Sequence, residues 1–187
     1  IQSLSTPFLQ KEETSKMHHK GTFLITYYEI FETQENMEVK AYILDIVRYL
    51  IEKFGDKLQS GWEAIMQVLI GSAQQPKLIA KALEIFQEVV IKNFIYIKDY
   101  QYEFLFNAFV LFVMKDNKDK SALQVVGLLP IIADNLTSKD EDIWTILLTT
   151  IQRCLKNTSN EVRSTIENSL VSIIAKHGFK HTEVIET

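Results

Sequence analysis

Four stretches of this sequence share one helical pattern of mostly apolar side chains, and their spacing constrains the fold more than any other feature. In each stretch the pattern occupies positions i, i+3, i+4 and i+7, which lie on one face of an α-helix. The leading positions are Val39, Ile79, Ala122 and Val162. They are separated by 40, 43 and 40 residues. A helix that recurs with a single face to bury predicts a stacked array of helical hairpins.

The sequence therefore predicts an all-α protein, an α-solenoid of about four HEAT- or armadillo-like helical hairpins. Glycine and proline number only 6 and 3, which disfavours a turn-rich β fold. We predict a helical-repeat domain at residues 21–180, preceded by a linker or the end of another repeat at 1–20 and followed by a tail at 181–187. The predicted hairpins span residues 22–54, 60–94, 102–136 and 139–178. A non-repetitive helical bundle is the alternative.

Several residues indicate where the predicted helices begin and end. Asn36 is placed to cap a helix that starts at residue 37, and Ser60 with Glu63 has the spacing of a capping box. Pro130 falls inside an otherwise helical stretch, where it should kink the helix or end it early. Gly178 is placed to end the last helix.

The most apolar segment runs from residue 104 to 114, inside a predicted helix at 102–115. A helix that is apolar around most of its circumference is usually buried on several sides. Its aromatic residues, together with Tyr96 and Tyr100, could instead form an exposed groove for a partner. The segment is too short to span a bilayer. No predicted helix pairs a basic face with an apolar one, so any membrane association should be indirect.

Composition and motifs argue against several classes of function. The net charge is −4 and the basic residues are scattered, which disfavours nucleic-acid binding. Cys154 is the only cysteine and has no histidine at helical spacing, so we interpret it as a buried structural thiol. The acidic run at 140–142 fits the start of a helix better than a cation site. We see no catalytic constellation, so we predict no enzyme, no cofactor and no metal. Because the chain begins at Ile1, we interpret it as a fragment of a longer protein.

Three motifs resemble one known family. They are LQSGW at 58–62, ALQVVGLLPIIAD at 122–134, and EVR at 161–163 continuing to SIIAKHG at 172–178. The family is the helical region C-terminal to the catalytic domain in large Golgi exchange factors for ADP-ribosylation-factor GTPases, with its counterpart in the Mon-two scaffold. The Gly-Leu-Leu helix and the final His-Gly are more similar to the scaffold branch.

The resemblance implies a non-catalytic segment of a peripheral protein on the cytosolic face of trans-Golgi and endosomal membranes. Its implied partners are a Dopey-type protein, a phospholipid flippase or small GTPases. The alternative is a regulatory or GTPase-binding segment of an active exchange factor.

The repeat pattern itself predicts where partners would bind. Solenoids present polar side chains at a fixed pitch on one helix of each pair. We predict a partner-binding surface on the second helix of each pair, made of polar side chains outside the apolar stripe: Lys40, Arg48, Lys81, Glu84, Gln124, Arg163 and Glu167.

Overall fold

The computed structural model describes residues 9–13, 18–115, 119–136, 141–156 and 158–177. Nine α-helices have their bounds within these residues: α1 (His19–Thr33), α2 (Met37–Phe54), α3 (Gly61–Ala73), α4 (Ile79–Glu88), α5 (Tyr102–Lys115), α6 (Asp119–Val126), α7 (Leu129–Asn135), α8 (Glu141–Lys156) and α9 (Asn160–His177). The described residues contain no strand, which confirms the all-α class. The chain divides into two compact units, Ile1–Phe104 and Leu105–Thr187. The stacking of hairpins into a solenoid stays a prediction.

Helix α3 is the central helix of the first unit, and it packs most extensively on α1. It is buried around nearly its whole circumference, because apolar side chains occupy every face. Trp62 in its first turn is fully buried. Leu24 and Phe31 supply the buried face of α1. Helix α2 contacts α1, α3 and α4, and Asn36 caps it as predicted, accepting a 2.8 Å hydrogen bond from the amide of Glu38 at its side-chain oxygen.

Helices α1 and α3 approach so closely at Gly71 that a side chain there has no room. A Cβ on Gly71 would lie 2.8 Å from Cε1 of Phe31, whose ring is fully buried. We therefore expect Gly71→Ala to destabilise the protein by about 1–3 kcal/mol, because overpacking outweighs the gain in helix propensity. Urea unfolding followed by circular dichroism measures the change.

The matched control is Gly127→Ala. Gly127 is exposed, and a Cβ there would meet only backbone oxygens of its own turn at 3.4 Å. Its unfolding free energy should change by less than about 0.5 kcal/mol. Equal losses at Gly71 and Gly127 would contradict the close packing of α1 on α3.

The segment after α4 is irregular. A π-helical turn at Val89–Asn93 leads into two 3-10 turns, Phe94–Tyr96 and Asp99–Gln101. The ring of Phe94 stacks on that of Tyr102 with centroids 5.2 Å apart, which fixes the start of α5 in the first unit. Most side chains of α5 are buried, whereas Tyr96 and Tyr100 are exposed.

In the second unit, the helical stretch around Pro130 is interrupted, as predicted. Helix α6 ends at Val126, and Pro130 lies in the first turn of α7, where its missing amide hydrogen costs nothing. Helix α9 contacts α6, α7 and α8. Its stripe is buried at Val162, Ile166 and Ile173. Gly178, the predicted end of this helix, lies outside the described residues.

The C-terminal turn of α9 is tied to α7 by charge. Lys176 Nζ lies 2.7 Å and His177 Nε2 lies 3.0 Å from the Asp134 carboxylate. A hydrogen bond from Lys176 lowers the pKa of Asp134, and one from His177 adds to this effect. Together they outweigh desolvation, which would raise the pKa. The His177 ring also lies 5.8 Å from that of Trp144, which is buried on α8.

Candidate protein-binding surface and its supporting polar network

Six charged side chains on α2 and α4 form what we name the α2–α4 charged strip. Each helix contributes three residues at positions i, i+3 and i+7, so they lie on one face. Lys81 Nζ contacts Asp45 Oδ1 at 2.6 Å, and Arg48 Nη1 contacts Glu84 Oε2 at 3.5 Å. The strip consists of Asp45, Arg48 and Glu52 from α2, with Lys81, Glu84 and Glu88 from α4.

The ion pairs of the strip lie at the surface. The side chain of Arg48 is 39% exposed. Its guanidinium nitrogens lie 3.5 to 3.9 Å from carboxylate oxygens of Glu52, Glu84 and Glu88. Ion pairs this exposed contribute roughly 0–1 kcal/mol to stability, because water screens them and ordering long side chains costs entropy. They can therefore exchange their partners for those of another protein at little cost to the fold, while the particular arrangement of positive and negative side chains gives specificity.

Lys40, a predicted contact residue, lies apart from this strip. It is 8% exposed, and its ammonium lies 4.7 Å from the centroid of the Phe31 ring. This cation–π contact ties α2 to α1, so Lys40 supports packing instead of facing solvent. Sequence pattern places Lys40 on the polar side of α2, but the ring of Phe31 covers that position.

The other three predicted contact residues belong to the second unit. Gln124 on α6 and both Arg163 and Glu167 on α9 are exposed. Arg163 Nε donates a 3.2 Å hydrogen bond to the carbonyl oxygen of Leu155. The structure thus brings Arg48, Lys81 and Glu84 into one strip. A binding surface that also includes Gln124, Arg163 and Glu167 stays a prediction.

Sequence reasoning missed a buried polar network in the first unit, which links residues between 13 and 60. The Glu13 carboxylate accepts hydrogen bonds from Ser60 N at 3.0 Å, Ser60 Oγ at 2.6 Å and Lys20 N at 2.6 Å. Ser60 Oγ in turn accepts a 2.8 Å hydrogen bond from the amide of Gly21. One carboxylate therefore joins the start of α1 to the start of α3.

The ammonium of Lys20 completes the network. Lys20 is 1% exposed, and Nζ donates to the Lys57 carbonyl at 2.5 Å and to Gln59 Oε1 at 2.9 Å. Gln59 has a left-handed backbone with φ of 48°, and its carbonyl accepts a 2.9 Å hydrogen bond from Gln101 Nε2. This turn lets both the side chain and the carbonyl of Gln59 face polar partners.

The network shifts the titration of its two charged groups. Burial by itself would raise the pKa of Glu13, but hydrogen bonds from Ser60 and Lys20 and the nearby His19 outweigh it and lower the pKa. Burial lowers the pKa of Lys20, against the attraction of Glu13. The hydrogen bonds around Glu13 therefore favour its ionised form over its protonated form.

The network also corrects the predicted capping box at Ser60 and Glu63. The Ser60 side chain forms no capping hydrogen bond to α3, because its hydroxyl is already engaged by Glu13 and Gly21. The sequence did contain a signal for this site. Gln59 and Ser60 lie inside the LQSGW motif, but the residues that they contact are up to 47 positions away.

Cys154 has the properties of the structural thiol that we predicted. It is fully buried on α8, and burial raises its pKa to about 12. No cluster of three or more His, Cys, Asp or Glu in the described ranges is arranged to hold a metal ion. Of the acidic run at 140–142, Glu141 and Asp142 begin α8, and Asp140 lies outside the described residues. None of the described helices is long and apolar enough to cross a membrane.

The described residues form a helical protein with a charged face. They contain no cluster of side chains arranged to hold a metal ion. Residues 7–88 match the family model described as Sec7-like HDS, Mon2/Sec7/BIG1-like. The match confirms the family resemblance for residues 7–88, a stretch that contains both the polar network of residues 13–60 and the charged strip. The motifs at 122–134 and 161–178 lie beyond the match.

Part of the chain is also similar to a curated protein. The chain is 21% identical over 101 residues to brefeldin A-inhibited guanine nucleotide-exchange protein 1 of Arabidopsis thaliana. The alignment covers 53% of this chain and 6% of that protein's length. No solved structure matches the chain. Because the family description includes both branches, the preference for the scaffold branch stays a prediction.

Proposed function

We propose that this chain is a non-catalytic scaffold segment of a peripheral Golgi and endosome trafficking protein, and that it binds partner proteins through the α2–α4 charged strip. The observation that carries the proposal is the coincidence of the family match at 7–88 with the six residues of the strip. The strip combines four carboxylates with two cations, lies at the surface, and is anchored on helices that pack into a buried core. These are the properties of a rigid docking surface.

The proposed setting follows from the family. The longer protein would lie on the cytosolic face of trans-Golgi and endosomal membranes, held there through its partners. A Dopey-type protein is the first candidate for the strip, followed by a phospholipid flippase or a small GTPase. The mixture of positive and negative side chains favours a partner with its own complementary pattern over a uniformly charged surface.

A second candidate function is a regulatory, GTPase-binding segment of an active exchange factor. The observation that favours it is the similarity to a protein named as a guanine nucleotide-exchange protein. The two candidates differ in one measurable property. A GTPase-binding segment should capture an ADP-ribosylation-factor GTPase in a nucleotide-dependent way, whereas a scaffold segment should capture a Dopey-type partner without added nucleotide.

The proposal is tested by swapping the charges of one ion pair. Asp45→Lys combined with Lys81→Asp keeps the net charge and a possible ion pair, so the fold should be retained. The local pattern is reversed, and we expect binding of the Dopey-type partner or of the GTPase to fall at least tenfold. The 187-residue chain is immobilised, and each purified partner is titrated over it, with the GTPase loaded with GDP or a GTP analogue.

The matched control is Lys77→Glu, because Lys77 is exposed one turn before Lys81 and lies outside the strip. It should change each dissociation constant by less than twofold. If the swapped chain is folded and binds every partner as the wild type does, the strip is not the binding surface. Nucleotide-dependent capture of the GTPase alone would establish the second candidate.

A further inference from the structure

The first unit contains a cleft that is separate from the charged strip. Its volume is about 420 Å³, and it lies between one face of α1 and the first turn of α3. His18 and Gly21 line it near the start of α1. The residues that give the cleft its chemistry are Thr22 and Ile25 of α1, Ser60, Glu63 and Ala64 of α3, and Tyr100.

Among the described residues, no cationic side chain pairs with one carboxylate of the cleft, that of Glu63 in the first turn of α3. Glu13 lies close by, but its carboxylate is bound by Ser60 and by the amide of Lys20, and the buried Lys20 ammonium balances its charge. Glu63 is half-buried, and in the described part of the chain it has no ion-pair partner. Its carboxylate accepts only a long, 3.5 Å hydrogen bond from Gln67 Nε2.

The remaining lining suits an aliphatic stem and a cationic head. Ile25 and Ala64 supply apolar wall, and Tyr100 supplies an aromatic ring that is 57% exposed. Burial, followed by the charges of Glu13 and Glu63, raises the pKa of Tyr100, so both carboxylates act at its phenol. Lysine and arginine bury their methylene stems on apolar surface and place their charge beside carboxylates and rings. Lys40 makes such a contact with Phe31 in this same unit.

We propose that the α1–α3 cleft binds a lysine or arginine side chain from an extended basic segment of a partner protein, with Glu63 as the counter-charge and the Tyr100 ring against the stem. Charge complementarity selects this occupant, because a half-buried carboxylate without a partner excludes anions and disfavours purely apolar side chains. The site is distinct from the α2–α4 charged strip, and neither proposal depends on the other.

The test is a selection of random 12-residue peptides displayed on phage, with the immobilised 187-residue chain as target and the Glu63→Gln Tyr100→Ala chain as competitor. We expect the enriched peptides to share a lysine or arginine flanked by apolar residues. A synthetic peptide from this pool should bind Glu63→Gln at least tenfold more weakly than wild type. The substitution should leave the fold intact, because Glu63 makes only one weak internal hydrogen bond.

Two controls separate this site from general electrostatics and from the strip. Glu29→Gln removes an exposed charge from α1 and should change peptide affinity by less than twofold. The Asp45→Lys Lys81→Asp chain should also bind the peptide normally. Enrichment of peptides without a basic residue, no enrichment at all, or equal binding by Glu63→Gln would overturn the proposal. A concentration-dependent dimer that Glu63→Gln dissociates would assign the cleft to a second copy and overturn it too.

Discussion

Replacing Trp62 by alanine is expected to lower the free energy of unfolding by about 3–5 kcal/mol, the largest effect of any single substitution proposed for this chain. Trp62 is fully buried in the first turn of α3, the helix that α1 and α2 both contact. Truncation leaves a cavity that the surrounding helices cannot fill, so the loss combines apolar burial and dispersion contacts. Urea unfolding followed by far-ultraviolet circular dichroism measures the loss. Circular dichroism is preferred to tryptophan fluorescence because the variant lacks one of the two tryptophans.

The control for Trp62 is Tyr42→Ala. Tyr42 is also aromatic and helical, but it is 59% exposed on α2. Its loss should cost less than about 1 kcal/mol. A loss at Trp62 no greater than that at Tyr42 would mean that the LQSGW segment does not form the core of the first unit.

Glu13→Ala should produce the second-largest effect, a loss of about 2–4 kcal/mol at pH 7. The substitution deprives Ser60 N, Ser60 Oγ and Lys20 N of their acceptor, and it leaves the buried Lys20 ammonium without its nearby carboxylate. Thermal or urea unfolding detects the change. Glu12→Ala is the matched control, because Glu12 is the exposed neighbour, and its effect should be below about 0.5 kcal/mol.

The pH dependence of this loss has a definite sign. The pKa of Glu13 in the folded chain lies below its ordinary value of 4.5. The ionised carboxylate therefore stabilises the fold fully above pH 4.5, and this contribution disappears as the pH falls through the lower folded pKa. The difference between wild type and Glu13→Ala should narrow in acid. A difference that widens below pH 4.5 would contradict the proposed network.

The features that sequence predicted are those set by neighbours along the chain. Helical periodicity and the scarcity of glycine and proline indicated the all-α class, because both depend on local backbone preference. Asn36 was recognised as a cap since its acceptor and the amide of Glu38 are two residues apart. Pro130 was expected to interrupt a helix because proline lacks an amide hydrogen, and α6 does end before it.

The features that sequence did not predict depend on residues far apart in the chain. Ser60 had a suitable partner three residues away, but Glu13 and Gly21 engage its hydroxyl instead. Lys40 was assigned to solvent from its helical position, yet the Phe31 ring covers it. Sequence predicted that Arg48, Lys81 and Glu84 lie on a polar surface. It did not predict which ion pairs they form, because helical spacing does not fix how two helices pack side by side.

The central claim is that the α2–α4 charged strip binds a trafficking partner, and the most direct test places the charge swap in a full-length protein that carries this segment. The wild-type protein and the Asp45→Lys Lys81→Asp protein are each affinity-captured from cells at equal abundance, and their bound proteins are quantified. We expect the swapped protein to lose a Dopey-type partner, a flippase or an ADP-ribosylation-factor GTPase at least tenfold, while Lys77→Glu retains it. An unchanged set of partners, with the swapped protein folded and equally abundant, would show that the strip does not bind a trafficking partner.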